Sequence, residues 1–314
     1  MTGAATAGGY LASLPDGMRL LAERVLAKAG GIAADYPEWP LLALPGALAD
    51  AYGLAAERRE ALLAGAVLFY AAADVIDDAQ DGDLDPADWG EPPWLRAVNV
   101  GNALLFTALA AFLDAAPPAG RGAMAAAVAR AGLAMTGGQH RDFELGPGGT
   151  AYSETEYLAC IEGKSGGSLG LFCRAAGLAA GVADAALLDR QETLGRCVGA
   201  AVQLRSDMVE IWSTGPSRDL ANGRRTLPVL YGLAASDPAG RAALPALLSD
   251  AGRKVELIAA LDALGTGPYC DLRLAAYAGE ALAALDGLGL DPDSREAIAR
   301  YVETHGQPHW RTAI

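Results

Sequence analysis

Long alanine-rich apolar segments, broken by Gly and Pro rather than by hairpin turns, leave this chain few choices other than helix. Alanine is the best helix former, and the β-branched residues that favour strands are sparse. No Asn-Gly or Asp-Gly pair sits between alternating apolar runs, so hairpins have no signal. Punctuation falls at Gly30-Gly31, 37–45, 90–93, Pro117-Pro118, 146–149 and Gly215-Pro216. Between these points the periodicity predicts helices over 10–29, 42–52, 55–81, 96–115, 120–145, 153–182, 184–213, 226–236, 250–264, 269–286 and 293–304. Several exceed the usual three or four turns and suit a bundle whose facing helices build a site around a deep central cavity. With short connections and no repeat or Ser/Gly linker, residues 1–314 are expected to form a single all-α domain. Ser153 followed by Glu156 predicts a capping box, and Asp184 a second helix start.

Charge narrows the partners. With 24 Lys and Arg against 38 Asp and Glu, the net charge is −14. Binding to a nucleic-acid backbone or an anionic membrane surface rests on Lys and Arg, so neither is expected. The most apolar stretches, 61–73 and 97–112, are shorter than a membrane span and run into acids, so no transmembrane segment is expected. Cys160, Cys173, Cys197 and Cys270 form no CxxC pair, and without a basic stretch leading into an apolar one from residue 1 onward, secretion is not expected. Buried reduced thiols in a cytoplasmic protein are the expectation.

The chemistry-bearing segment is Asp74 to Asp83, closing a very apolar helix. Asp77 and Asp81 are four apart and project from one helical face, where like charges repel unless a cation or solvent compensates. Oxygen-only ligands select a hard ion, and Mg²⁺ held by two carboxylates plus substrate phosphates fits. A solvated acidic helix end leading to Asp83, Asp85 and Asp88 is the plainer alternative. A calcium loop counted from Asp81 fails, with Pro86 where glycine is needed and Pro92 where glutamate belongs. A second stripe, Gln203, Ser206, Asp207 and Glu210, marks another apolar helix; a solvent-facing stripe would read the same way. Nearby in sequence stand Gln139 and Asp142, Lys164-Ser165, Arg218, and Arg224-Arg225. Carboxylates for Mg²⁺ and cations for leaving-group charge are the mixture that diphosphate chemistry requires. A di-iron bundle would need Glu-x-x-His pairs, and His140, His305 and His309 supply none.

Taken in order, these segments resemble the trans-polyprenyl (isoprenyl) diphosphate synthases. Asp77-Asp78-Ala79-Gln80-Asp81 is similar to their DDxxD motif, Gly138-Gln139 with Asp142 to GQxxD, Lys164-Ser165 to KT, and Arg224 to Pro228 to K-x-TxP. The resemblance implies an isoprenoid synthase-like fold and up to three Mg²⁺ ions bound with the diphosphate. It implies Asp77 and Asp81 as metal ligands and Asp142 as orienting a ligand or a metal-bound water. Ser206, Asp207 and Glu210 would complete the metal set. Lys164 and Arg224 would hold the diphosphate of an allylic substrate, with Gln139, Gln203, Arg218 and Arg225 beside it. Small residues at Ala72 and Ala73 imply an open hydrocarbon channel for a C15 to C20 chain or longer, with Phe69 and Tyr70 as its floor. A homodimer is implied by the same resemblance.

Three departures matter. Gln203 to Glu210 is similar to the family's second aspartate motif, QxxDDxxD, but Ser206 and Glu210 replace its first and last aspartates. No Lys or Arg lies between Arg59 and Arg96, where the family carries an arginine pair, nor between Lys28 and Arg58, where it carries its N-terminal basic signature. An isopentenyl diphosphate headgroup would therefore have no obvious partner, and burying it unpaired is costly. The expectation is Mg²⁺-dependent ionisation of an allylic diphosphate, with the cation captured by another acceptor (prenyltransferase) or by its own chain (class I terpene synthase). The alternatives are conventional chain elongation and a non-catalytic partner subunit of an elongating enzyme.

Overall fold

The structure, a computed structural model, describes residues 2–35, 40–144, 153–213, 215, 217, 220, 223–248 and 251–306. Every regular element among them is helical, as expected. The described residues form two compact units that alternate along the chain. The first comprises Met1–Ala131, Ser168–Glu192 and Gly287–Ile298; the second comprises Gly132–Gly167, Thr193–Asp286 and Ala299–Ile314.

In the first unit, α1 (Thr2–Tyr10), α2 (Asp16–Asp35) and α3 (Pro40–Ala51) lie against α4 (Ala56–Asp81). The longest contact runs between α4 and α6 (Pro93–Ala115), with the short α5 (Pro86–Trp89) before it. Two glycines set that approach: a Cβ at Gly101 would stand 2.5 Å from Ile76 Cγ1, and one at Gly65 2.9 Å from the Phe112 ring. Gly101 therefore brings α6 against α4 one residue before Asp77. The aromatic core joins Phe69 to Phe172 edge-on at 5.9 Å, and Phe172 to Phe112 in a stack at 6.0 Å. At 23 residues, α6 is longer than the sequence suggested, because Pro93 opens it at its first turn. It is the one helix among the described residues long and apolar enough to cross a membrane. Trp94, Leu95, Val98 and Phe106 on it are exposed.

The remaining helices are α7 (Arg121–Glu144), α8 (Glu154–Ile161), a π-turn (Glu162–Gly166), α9 (Gly167–Ala180) and α10 (Ala185–Trp212). After them come α11 (Leu227–Ala235), α12 (Pro238–Leu248), α13 (Lys254–Ala263), α14 (Thr266–Asp286) and α15 (Pro292–Gly306). Both helix starts read from the sequence are present. Ser153 and Glu156 make the reciprocal capping box, and the Ala186 N–H donates to Asp184 Oδ1 at 2.8 Å.

Several elements differ from the sequence expectation. The helix expected from residue 10 starts at Asp16, because Pro15 forces Leu14 into extended backbone. It then runs through Gly30-Gly31, since a glycine costs only about 1 kcal/mol in a helix docked along a neighbour. The expected helix over 153–182 is one rod interrupted by the π-turn. The unforeseen α12 tolerates Pro245 in its second half, and α13 begins only at Lys254.

Candidate functional site

The acidic end of α4 is shaped by its stop signal. Gly82 adopts φ +79, and the Gly82 and Asp83 N–H groups both donate to the Asp78 carbonyl, closing the helix directly after Asp81. This end carries the negative pole of the helix dipole, so carboxylates here gain nothing from the backbone and call for cations. One cation comes from α2: Lys28 Nζ lies 2.8 Å from Asp74 Oδ2 and 3.1 Å from Asp78 Oδ2. Burial alone would lower the lysine's pKa, but the two carboxylates more than reverse it. Burial pushes the Asp78 carboxyl above its usual value, while the Lys28 hydrogen bond pulls it back. Burial, then the charge of Asp74, pushes Tyr70 up to about 12. One helical turn before Lys28, Arg24 Nη1 lies 3.8 Å from Asp88 of α5. Lys28 thus occupies one edge of the helix end, Asp74 and Asp78, and Asp77 and Asp81 form the adjoining edge. Lys28 was missed in the sequence because it lies well outside the acidic segment; only a docked α2 brings it there.

Upstream on α4, Ala72 is fully buried and Ala73 partly accessible. Phe69 belongs to the aromatic core with Phe172, which accounts for it as packing.

In the second unit, Lys164 sits on the π-turn, whose widened backbone shifts the side-chain register within the rod. Its Nζ donates to Asp142 Oδ2 at 3.3 Å, with both side chains about a quarter exposed. Glycines allow the turn to lodge between two helices. A Cβ at Gly138 of α7 would stand 3.4 Å from Lys164 Cγ. A Cβ at Gly199 of α10 would stand 2.4 Å from the Ser165 carbonyl oxygen, a backbone atom that cannot move aside. Gln139 and Asp142 are therefore on the same α7 segment that supports Lys164, as the GQxxD resemblance implies.

The α10 stripe divides. Ser206 is exposed, Gln203 and Glu210 are half-buried, and Asp207 is 6% exposed. Asp207 Oδ2 accepts from the Tyr157 hydroxyl at 2.6 Å, and its Oδ1 accepts from Gln203 Nε2 at 2.9 Å. Gln203 Oε1 in turn accepts from Ser165 Oγ at 2.7 Å. Lys254 Nζ donates to the Glu210 and Gly215 carbonyls at 3.0 and 2.6 Å, closing the C-terminal end of α10. Arg224 is half-buried and Arg225 exposed, after Gly223 at φ +68. Arg218 lies outside the described residues, as do His309 and the tail around it.

The donor chemistry of the α4 end fits Mg²⁺. Asp77 and Asp81 are hard oxygen ligands one turn apart, and Mg²⁺ is ordinarily held by one or two carboxylates completed by water and substrate phosphate. Among the described residues, no three acidic, His or Cys side chains converge as a ready-made cation cage. An ion here would thus share its coordination with a diphosphate.

Comparison with known proteins gives the family. The polyprenyl synthetase family model matches residues 86–263, more than half of the chain, starting just past Asp81 and taking in Asp142, Lys164, the α10 stripe and Arg224. Nonaprenyl diphosphate synthase of Mycobacterium tuberculosis is 31% identical over 242 residues, 73% of this chain and 69% of that protein. The chain belongs to the polyprenyl synthetase family and is a prenyltransferase. Among solved structures, a decaprenyl diphosphate synthase from Rhodobacter capsulatus matches with a TM-score of 0.81 at 20% identity, covering 97% of this chain and 94% of that one. A polyprenyl synthase from Caulobacter crescentus, complexed with calcium and isoprenyl diphosphate, matches at 0.76 and 23%, covering 96% and 92%. These two share the fold.

Proposed function

We propose that this protein elongates an allylic prenyl diphosphate by adding isopentenyl units. The observation that carries this reading is the 31% identity, over 73% of the chain, to a protein named nonaprenyl diphosphate synthase. It favours the elongating alternative over the transfer or cyclisation expected from the missing local cations. Lys28 supports the same choice, since it brings to the acidic end of α4 a positive charge that the flanking sequence lacks.

In this reading Asp77 and Asp81 hold Mg²⁺, which when bound offsets charge on the departing diphosphate. Lys164, kept in place by Asp142, and Arg224 take up diphosphate charge, with Gln139, Gln203, Arg218 and Arg225 as further polar neighbours. Departure of the diphosphate leaves an allylic cation, which the double bond of the acceptor attacks before losing a proton. Apolar helix surface around Ala72 and Ala73 keeps water from that cation. The long-chain products in the names of the Mycobacterium and Rhodobacter relatives support a substrate of C15 to C20 or longer. The four buried free cysteines accord with a cytoplasmic setting. The exposed apolar side chains of α6 favour a second copy as partner, and residues 1–314 are taken as one catalytic domain.

The test is incubation with Mg²⁺ and farnesyl or geranylgeranyl diphosphate, with and without isopentenyl diphosphate, reading products by mass spectrometry. Longer diphosphates formed only when both substrates are present are expected. Hydrocarbons or alcohols from the allylic substrate alone would overturn elongation in favour of a cyclase. Silence in every condition would favour a non-catalytic subunit.

A further inference from the structure

Tyr157 lies on α8, seven residues before Lys164 on the same rod. It is 3% exposed, and no motif of the sequence marks it. Its hydroxyl donates to Asp207 at 2.6 Å, Asp207 accepts again from Gln203 at 2.9 Å, and Gln203 accepts from Ser165 at 2.7 Å. Every step runs toward the carboxylate, so the orientation of the Gln203 amide is fixed at both ends. Ser165 adjoins Lys164 on the π-turn, and Gly199 presses α10 against that turn at the Ser165 carbonyl. The chain of bonds therefore ties α8, the π-turn and α10 together around one buried carboxylate.

We propose that Tyr157, Asp207, Gln203 and Ser165 form a hydrogen-bonded brace that positions Lys164, with Tyr157 and Asp207 acting as positioning residues rather than metal ligands. Three facts favour this role for Asp207 over ligation. It is the most buried member of its stripe, both of its oxygens already accept hydrogen bonds, and its charge is met by donors from two separate elements. A buried carboxylate so held is fixed in place, because releasing it would strand a charge in apolar surroundings. The π-turn needs such a tie, since its widened backbone lacks the regular bonds that hold an α-helix in register.

The proposal rests on Lys164 binding diphosphate, so the experiment separates the two. Affinity for inorganic diphosphate with Mg²⁺ is measured by calorimetry for wild type, Tyr157→Phe, Lys164→Met and the double variant, along with the Mg²⁺ concentration each requires. Tyr157→Phe is expected to weaken diphosphate binding about five- to tenfold in wild type and scarcely at all in Lys164→Met. The Mg²⁺ requirement should not move. Additive effects, or a shifted Mg²⁺ requirement in Tyr157→Phe, would overturn the brace. Unchanged binding in Lys164→Met would instead remove Lys164 from the diphosphate site, and the brace with it. Should Tyr157→Phe fail to fold, Ser165→Ala cuts the same chain at its other end and carries the same expectations.

Discussion

The acidic end of α4 and the acidic stripe of α10 have similar spacing in sequence but opposite environments. On α4 the carboxylates crowd the negative pole of the helix within reach of solvent, and two of them, Asp74 and Asp78, take Lys28 from α2. On α10 the central carboxylate is buried and receives hydrogen bonds from Tyr157 and Gln203. The first region gathers Asp74, Asp77, Asp78 and Asp81 at a solvent-accessible helix end, where an arriving cation and diphosphate can add to them. The second has its charge satisfied within the protein. Aspartate spacing alone does not distinguish a site that takes a ligand from one that holds a scaffold; the surroundings of each carboxylate do.

The largest expected effect lies in the first region. Asp81→Asn should lower turnover by about 100- to 1000-fold, the usual cost of removing a group aimed at developing charge. Steady-state rates at saturating substrate would show it, and a loss under tenfold would take Asp81 out of the machinery. Next comes the second region's packing. Gly199→Ala places a Cβ against the Ser165 carbonyl and should destabilise the fold by about 1–3 kcal/mol, read as a lowered Tm. An unchanged Tm would mean that α10 does not press on the π-turn.

Smaller effects sharpen the contrast. Ala73→Phe, at a partly accessible site on α4, should shorten the products, whereas an unaltered product distribution would remove Ala73 from the channel. Lys28→Met should leave stability within about 1 kcal/mol, because the pair is substantially exposed and solvent-screened. Its effect should fall on KM for isopentenyl diphosphate, up by about fivefold at most. A change in Tm with an unaltered KM would make Lys28 a structural residue only.

The helical fold and the family were legible in the sequence because they rest on local signals, which also named the candidate site residues. Alanine content, the Ser153 and Glu156 box, Gly82 after Asp81, and the order of the acidic and basic segments are all short-range. What was not legible depends on packing between distant segments. Lys28 lies forty-six residues from Asp74, and Tyr157 fifty from Asp207. The π-turn at Glu162–Gly166 was hidden because its flanks carry continuous helical periodicity, and only its glycines hint at a break. The absence of basic residues beside Asp81 pointed toward an unusual acceptor, because a search along the sequence cannot register a cation delivered by another helix.

Mn²⁺ binding, followed by electron paramagnetic resonance in the presence of inorganic diphosphate, tests the contrast between the two acidic regions most directly. Wild type, Asp81→Asn and Asp207→Asn would be compared after circular dichroism has shown each to be folded. Asp81→Asn should lose diphosphate-dependent Mn²⁺ binding, and Asp207→Asn should keep it. Retention in Asp81→Asn together with loss in Asp207→Asn would reverse the roles assigned to the two regions.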